Sequence, residues 1–263
     1  MLKIVSARRF IRPMNTGKSR PMLMECAYSD GQTVEVVVKL SGACERKIGA
    51  LVMEAMMAML AKDLGLPVPE PLAVHLPEPI LAMLGELAPY QDAAAKSAAV
   101  AFGSTLLASH FKPWTHRASI PPDLIDMATR ILAFDAWMEN PDRRPSNPNC
   151  KFNGARFAIF DHELCCTPSL FMPRPWEPNG LEFWRGDDNV HLFRRGLRGC
   201  FFFPPDLETQ FLSIRTARID AYIHALPPAW HAGRAIALQT RSHIMELQSH
   251  ITAAITELNR VMS

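Results

Sequence analysis

The chain has 263 residues, 48% of them hydrophobic, which is enough apolar surface for one large core or two smaller ones and sets it apart from disordered chains. Its 28 basic and 26 acidic side chains leave a net charge of +2, so no global attraction to nucleic acid or anionic membrane exists and any polyanion has to be met locally. Six cysteines without a C-x-x-C spacing, Cys165 and Cys166 being adjacent, suit reduced thiols in a cytoplasmic protein rather than a metal site or a disulfide framework.

The first forty residues read as strands. "LKIVSA", "MLMECAY" and "VEVVVKL" are rich in apolar and β-branched residues, and "SDGQ" between the last two suits a hairpin turn. The N-terminal apolar segment is too short for a signal peptide. From Cys44 to Leu64 apolar residues recur at helical spacing until Gly65 and Pro67 stop the helix; Glu54 interrupts this run, which falls short of a membrane span. "VPEPLAVHL" reads as a short extended piece, and "VAFGSTLL" is open between helix and strand. Helical patterns follow at 121–138, 206–225 and 232–261, separated by a Pro- and Trp-rich stretch, 167–205, that reads as loop with a short helix or two. The organisation expected is a small β-rich lobe with one prominent helix, residues 1–110, joined to a mainly helical lobe, residues 111–263.

Between the helical pattern ending at Met138 and the strand-like "ARFAIFD" lies "ENPDRRPSNPN", residues 139–149. Its prolines and asparagines exclude helix or strand and make it a loop. Asp142 and Asn147 lie five apart in it, and Asp161 follows at the end of an apolar strand. Phosphoryl transfer uses this set of groups: an Asp to orient a hydroxyl and accept its proton, plus an Asn and an Asp whose oxygens hold Mg2+. Each residue alone also reads plainly, Asp142 as a turn-forming Asp beside two arginines and Asn147 as an Asn-Pro turn. Lys39, in a strand of otherwise apolar residues, must carry its ammonium out of the core, and alone it reads as an edge-strand lysine facing water.

"NPDRRPSNPNCKFNGARFAIFDHELC" resembles the catalytic and metal segment of the HipA-like kinases, atypical members of the protein-kinase-like fold related to the phosphatidylinositol kinases. "TGKSRPMLMECAYSDGQTVEVVVKL" is similar to that family's phosphate-loop hairpin and lysine strand, and "EAMMAMLAKDLGLPVPEPLAV" to the helix and strand that follow, so the likeness covers most of residues 10–165. The resemblance implies an α+β, two-lobed protein-kinase-like fold and an ATP- and Mg2+-dependent kinase. It implies Asp142 as the catalytic Asp, Asn147 and Asp161 as metal ligands, and Lys39 as the group on the nucleotide α and β phosphates. Glu54 is the candidate partner of Lys39, with Glu45 as its rival, and the loop carrying Gly17, Lys18 and Ser19 would cover the phosphates through its backbone N–H groups. It also makes "VAFGSTLL" the strand that runs into the adenine-binding hinge.

Gly17-Lys18-Ser19 is not a Walker A motif, because Arg12 stands where the earlier glycine belongs and Pro21 with a strand follows. There is no G-x-G-x-x-G, and the second metal motif reads Asp-His-Glu, so activation-loop switching of the usual kinase type is not implied. The implied acceptor is a protein serine or threonine, with a lipid or small molecule as alternatives and a regulatory protein partner in prospect; a pseudokinase acting as an interaction module is the reading from another class. His110, His116, Asp161, His162 and Glu163 match no metallohydrolase spacing. "FRRGLRG", with Arg194, Arg195 and Arg198, suits either a phosphate grip or a solvated loop.

Overall fold

The computed structural model describes residues 2–14, 17–115, 118–167 and 173–263. His116 and the first part of the 15–20 loop, Asn15 and Thr16, lie outside them. The chain forms two compact units. One comprises residues 1–59, 69–108 and 220–239, and the other 60–68, 109–219 and 240–263.

The first unit is built on a closed five-stranded barrel in the order β1-β2-β3-β5-β4. Its strands are β1 (Lys3–Pro13), β2 (Met22–Ala27), β3 (Thr33–Lys39), β4 (Pro71–His75) and β5 (Val100–Thr105). All neighbours are antiparallel except β1 and β4, which run parallel. Alternation along each strand sends one set of side chains inward. Val5 and Ala7, Met22, Met24 and Cys26, Val36 and Val38, and Leu72 and Val74 thus make a continuous buried core. The "FGS" break in the fifth strand has a packing reason. A Cβ on Gly103 would lie 2.5 Å from Val36 Cγ1 and 2.6 Å from Val74 Cγ2, so only glycine fits there. The segment left open between helix and strand is therefore a strand, because the barrel needs it to join β3 to β4.

Helix α1 (Ile48–Asp63) is buried on nearly every side through its middle, and Glu54 is its one buried charge. Two short helices, α2 (Glu78–Glu86) and α3 (Gln91–Ala95), were not expected from the sequence, where Pro77, Pro79, Gly85 and Pro89 break the pattern. They form because Leu84, Tyr90, Ala93 and Ala94 pack onto the barrel core. Residues 220–239 belong with this unit rather than with the rest of 111–263. Trp230, almost wholly buried, donates from Nε1 to the Val100 carbonyl at 2.8 Å, and Gly233 sits against Ile48 and Val52.

The second unit carries a small antiparallel sheet, β6 (Lys112–Pro113), β7 (Cys150–Phe152) and β8 (Phe157–Ile159), and the helix α4 (Ile125–Trp137). Trp114, Phe152, Phe157 and Phe193 cluster on the sheet with ring centroids 4.7–6.0 Å apart. Residues 60–68 join this unit through the Pro67 carbonyl, which accepts the Ile159 N–H at 2.9 Å, and through a two-bonded Asp63–Arg218 pair.

Past α5 (Arg194–Leu197), the pattern expected as one helix over 206–225 is two, α6 (Pro205–Ser213) and α7 (Thr216–His224). Gln248 Nε2 donates to the Phe211 and Ile214 carbonyls at 2.9 and 2.8 Å and so satisfies acceptors that an uninterrupted helix would have used. The long C-terminal pattern likewise divides at His250 into α8 (Arg234–Ser249) and α9 (Ile251–Met262). No helix of the described residues is long and apolar enough to cross a membrane.

Candidate active site

In the barrel unit, Lys39 ends β3 one residue beyond the inward-facing Val38, so its side chain leaves by the opposite face. Its ammonium pairs with the Glu54 carboxylate. Both groups are buried, at 9% and 2% exposure, and a buried charge of either sign is tolerated only with its counter-charge in place. Of the two carboxylates offered by the sequence, Glu54 is therefore the one in contact, whereas Glu45 is exposed.

The loop between β1 and β2 is tied across its base, Met14 N–H to the Pro21 carbonyl at 2.9 Å, and closes through Arg20 N–H to the Gly17 carbonyl at 3.1 Å. Gly17 adopts φ +110°, a conformation that only glycine takes without strain. Lys18 is exposed, whereas Ser19 is turned inward at 6% exposure.

In the helical unit the loop of residues 139–149 begins where α4 stops. Asn140 N–H bonds the Asp135 carbonyl at 2.8 Å and Glu139 N–H the Ala136 carbonyl at 3.3 Å, with Glu139 at φ +50°. This is a Schellman stop with glutamate in the left-handed position that glycine usually takes, and Pro141 prevents any continuation. The next carbonyls are capped by side chains and by the Asp161 segment. His243 Nε2 donates to Trp137 O at 2.7 Å, and Cys166 N–H to Met138 O at 2.8 Å.

Beyond the stop, Arg144 and Asn147 exchange both backbone hydrogen bonds around Pro145-Ser146, a tight turn. The turn brings Asn147 back to Asp142. Asp142 Oδ2 accepts from Asn147 Nδ2 at 2.7 Å and from Asn149 Nδ2 at 3.2 Å, while Asn140 Oδ1 accepts the Asp142 N–H at 3.1 Å. With its Nδ2 engaged, Asn147 has Oδ1 left to offer a cation; with Oδ2 engaged, Asp142 has Oδ1 left, opposed only by a long 3.4 Å contact from Arg144.

Beneath this loop lies a network that sequence reading missed. Asp135, with no solvent exposure, receives Arg143 Nε at 2.5 Å, Arg143 Nη2 at 3.2 Å, Asn140 Nδ2 at 2.7 Å and His191 Nε2 at 3.1 Å. Burial pushes its carboxyl up, but the Arg143 guanidinium and the His191 hydrogen bond outweigh this and hold it well below the usual carboxylate range. Burial pushes His191 down despite Asp135, and its Nδ1 accepts the Phe193 N–H at 3.2 Å, which makes it neutral with its proton on Nε2.

Arg143 Nη1 meanwhile donates to the carbonyls of Asn149 (2.6 Å) and Phe160 (3.0 Å). One guanidinium thus ties the end of the Asp142 loop to the residue before Asp161. Arg143 reads in the sequence as one of two arginines beside a turn Asp. The signal that could have singled it out is Asp135, a carboxylate inside the apolar run "ILAFDAWM" that demands a buried partner.

Asp161 follows β8 with φ +64°, which is strained for a non-glycine residue and maintained by the bonds on either side, Phe160 N–H to Asn149 O at 3.1 Å among them. Carboxylate oxygens of Asp161 and Glu163 lie within 4.8 Å of each other, an all-oxygen donor set suited to a hard divalent cation such as Mg2+. Glu163 is thus a further metal-ligand candidate that spacing alone did not supply. The structure brings together Lys39 with Glu54, and Asp142 with Asn147, and clamps the Asp161 backbone to the same loop.

The family model of the HipA-like kinases matches residues 7–172. Among solved structures, that of a Helicobacter pylori proinflammatory kinase, CtkA, is similar with a TM-score of 0.55 at 13% identity, covering 99% of both chains. That of the Rio2 kinase from Chaetomium thermophilum, in a complex with ADP/Mg2+ and phosphoaspartate, gives a TM-score of 0.43 at 16% identity, over 92% of this chain and 72% of the other. The likeness to CtkA shows an α+β, protein-kinase-like fold. No curated protein matches the sequence.

Proposed function

Because the chain belongs to the HipA-like kinase family, we propose that it is an ATP- and Mg2+-dependent phosphotransferase whose acceptor is a serine or threonine hydroxyl of a protein. The observation that supports this reading most is the pairing of Asp142 with Asn147 on a loop that Arg143 fastens to the strand end before Asp161. Asn147 Oδ1 and the Asp161 carboxylate, with Glu163 beside it, would hold Mg2+, which when bound neutralises charge on the phosphate oxygens.

Asp142 orients the acceptor hydroxyl and takes its proton on Oδ1, since Oδ2 is occupied by two amide donors. Lys39, held in place by Glu54, binds the α and β phosphates; Gly17, Lys18 and Ser19 carry the loop that covers them. Rigidity of the loop keeps these groups at fixed separations, so that positioning does most of the catalytic work. The six cysteines, none in a disulfide and most of them buried, fit the reducing cytoplasm in which we place the protein.

The test is transfer of labelled γ-phosphate from ATP by the full chain, with Asp142→Asn and Asp161→Asn beside it. Label appearing on protein and lost in both variants is the expected result. Label on lipid or on a small alcohol would move the acceptor class. ATP binding that needs Mg2+ and Asp161 yet yields no transfer would make the protein a nucleotide-binding pseudokinase, and no binding at all would remove the reading.

A further inference from the structure

The helical unit contains a cavity of about 270 Å3 lined by Arg185, Gly186, Arg194, Arg198, Met262 and Ser263. We propose that it is a binding site for a phosphate monoester, sharing no residue with the groups assigned to phosphoryl transfer and independent of that assignment.

Arg194 is the central group of this cavity. Its residue is 7% exposed, and its Nη1 is committed to the Val261 carbonyl at 2.8 Å and to Met262 Sδ at 3.0 Å, which fixes the guanidinium plane. Its buried Nε has no hydrogen-bond partner, and among the described residues no carboxylate reaches it within ion-pair distance. Buried cations ordinarily come with a contacting counter-charge, and a buried donor with an acceptor; here Nε has no acceptor and the nearest carboxylates, Asp188 and Asp187, act from beyond ion-pair distance. Burial pushes Arg194 down, with Asp188 and Asp187 only partly offsetting it and Arg198 adding to the effect.

The other two arginines are different. Arg198 is held by Asp188 at 2.6 Å. Arg185 lies 3.6 Å from Glu182, which is itself shared with Arg260 at 2.8 Å. Both are mostly exposed and stand at the rim of the same cavity. The pocket is therefore lined by one buried guanidinium, whose Nη1 is committed and whose Nε lacks a partner, and by two rim cations.

A phosphate monoester carries close to two negative charges and three strong acceptor oxygens, which matches three guanidinium groups better than a carboxylate does. The volume, below the usual range for sites that enclose a whole cofactor, suits a phosphate on one side chain or a small phosphorylated molecule. The serine- or threonine-phosphate of a protein and a free small phosphate share this chemistry, and the experiment separates them.

Calorimetric titration of the full chain is done with inorganic phosphate at ionic strength held constant by chloride, then with a short phosphoserine peptide and its unphosphorylated form. Arg194→Met and the double variant Arg185→Ala/Arg198→Ala are compared with the parent. The expected result is saturable phosphate binding, absent for the unphosphorylated peptide and weaker by about tenfold or more in both variants. A phosphopeptide that binds more tightly than phosphate identifies a phosphorylated protein as the ligand; equal affinity identifies a small phosphate. Should Arg194→Met fail to fold, the exposed rim variant decides. Absence of saturable binding, or binding that is unchanged in the rim variant, overturns the proposal, because phosphate would then be bound elsewhere or nowhere.

Discussion

Arg143 and Asp135 form a two-bonded ion pair with no solvent exposure on either side chain, and the same guanidinium holds the carbonyls of Asn149 and Phe160. A group with five donors in one plane can bind a carboxylate on one edge and backbone carbonyls on another, which no other side chain does. Breaking the pair from one side leaves a buried charge without its partner. Arg143→Met and Asp135→Leu are each expected to lower unfolding free energy by about 3–5 kcal/mol, as read from urea denaturation. Arg143→Lys keeps the charge but loses the fork and should remain destabilised; a value within about 1 kcal/mol of the parent for Arg143→Met would show that the network is not structural.

Lys39 and Glu54 test stability against function. Lys39→Met is expected to destabilise the chain by about 3–5 kcal/mol, because the buried Glu54 carboxylate then loses this counter-charge. Adding Glu54→Leu should recover most of that loss while leaving phosphoryl transfer abolished. Recovery of activity together with stability would make the pair a purely structural one.

Asp142→Asn should fold with a loss of no more than about 1–2 kcal/mol, since the hydrogen bonds it accepts come from loop amides rather than from a buried cation. Transfer from labelled ATP should fall by about two orders of magnitude or more while nucleotide affinity stays unchanged. An equal loss of affinity would place Asp142 in binding rather than in proton transfer.

Gly103→Ala probes the barrel. The added methyl would press on Val36 and Val74 from inside a closed sheet, and a loss of about 1–3 kcal/mol is expected in thermal or chemical unfolding. A neutral result would mean that the barrel opens to accommodate it.

His243 confers a pH dependence with a definite sign. Burial pushes it down to about 4 from its ordinary 6.5, so the unfolded chain takes up its proton first. The stability it contributes is complete above pH 6.5 and is lost as pH falls towards 4, with His191 and then Asp135 acting in the same direction. Glu139, whose Oε2 lies 3.9 Å from His243 Nδ1, acts oppositely, because burial raises its pKa and protonation relieves that cost; Arg174 holds the same carboxylate at 3.4 Å. Urea midpoints between pH 7 and pH 4 should fall less steeply in His243→Gln than in the parent. Parallel curves would assign the acid loss to other groups.

Local chemistry made much of this molecule legible in its sequence. β-branched runs with an Asp-Gly turn mark the first strands, and the prolines and asparagines of residues 139–149 mark a loop. An Asp, an Asn and a strand-end Asp in that order carry the resemblance to the HipA-like kinases on which the proposed site is built. These signals depend on residues close in the chain, and proximity along the chain survives whatever the rest of the fold does.

The remaining features depend on residues far apart in the chain. The strand at Val100–Thr105 exists because β3 and β4 need a neighbour, α2 and α3 because the barrel offers them an apolar face, and the breaks at Ile214 and His250 because distant groups satisfy the freed backbone or the chain turns. Asp135 selects Arg143 over Arg144, eight residues away, and Lys39 selects Glu54 over Glu45. In each choice the deciding term is the cost of a buried charge without its counter-charge, a quantity defined only once burial itself is known.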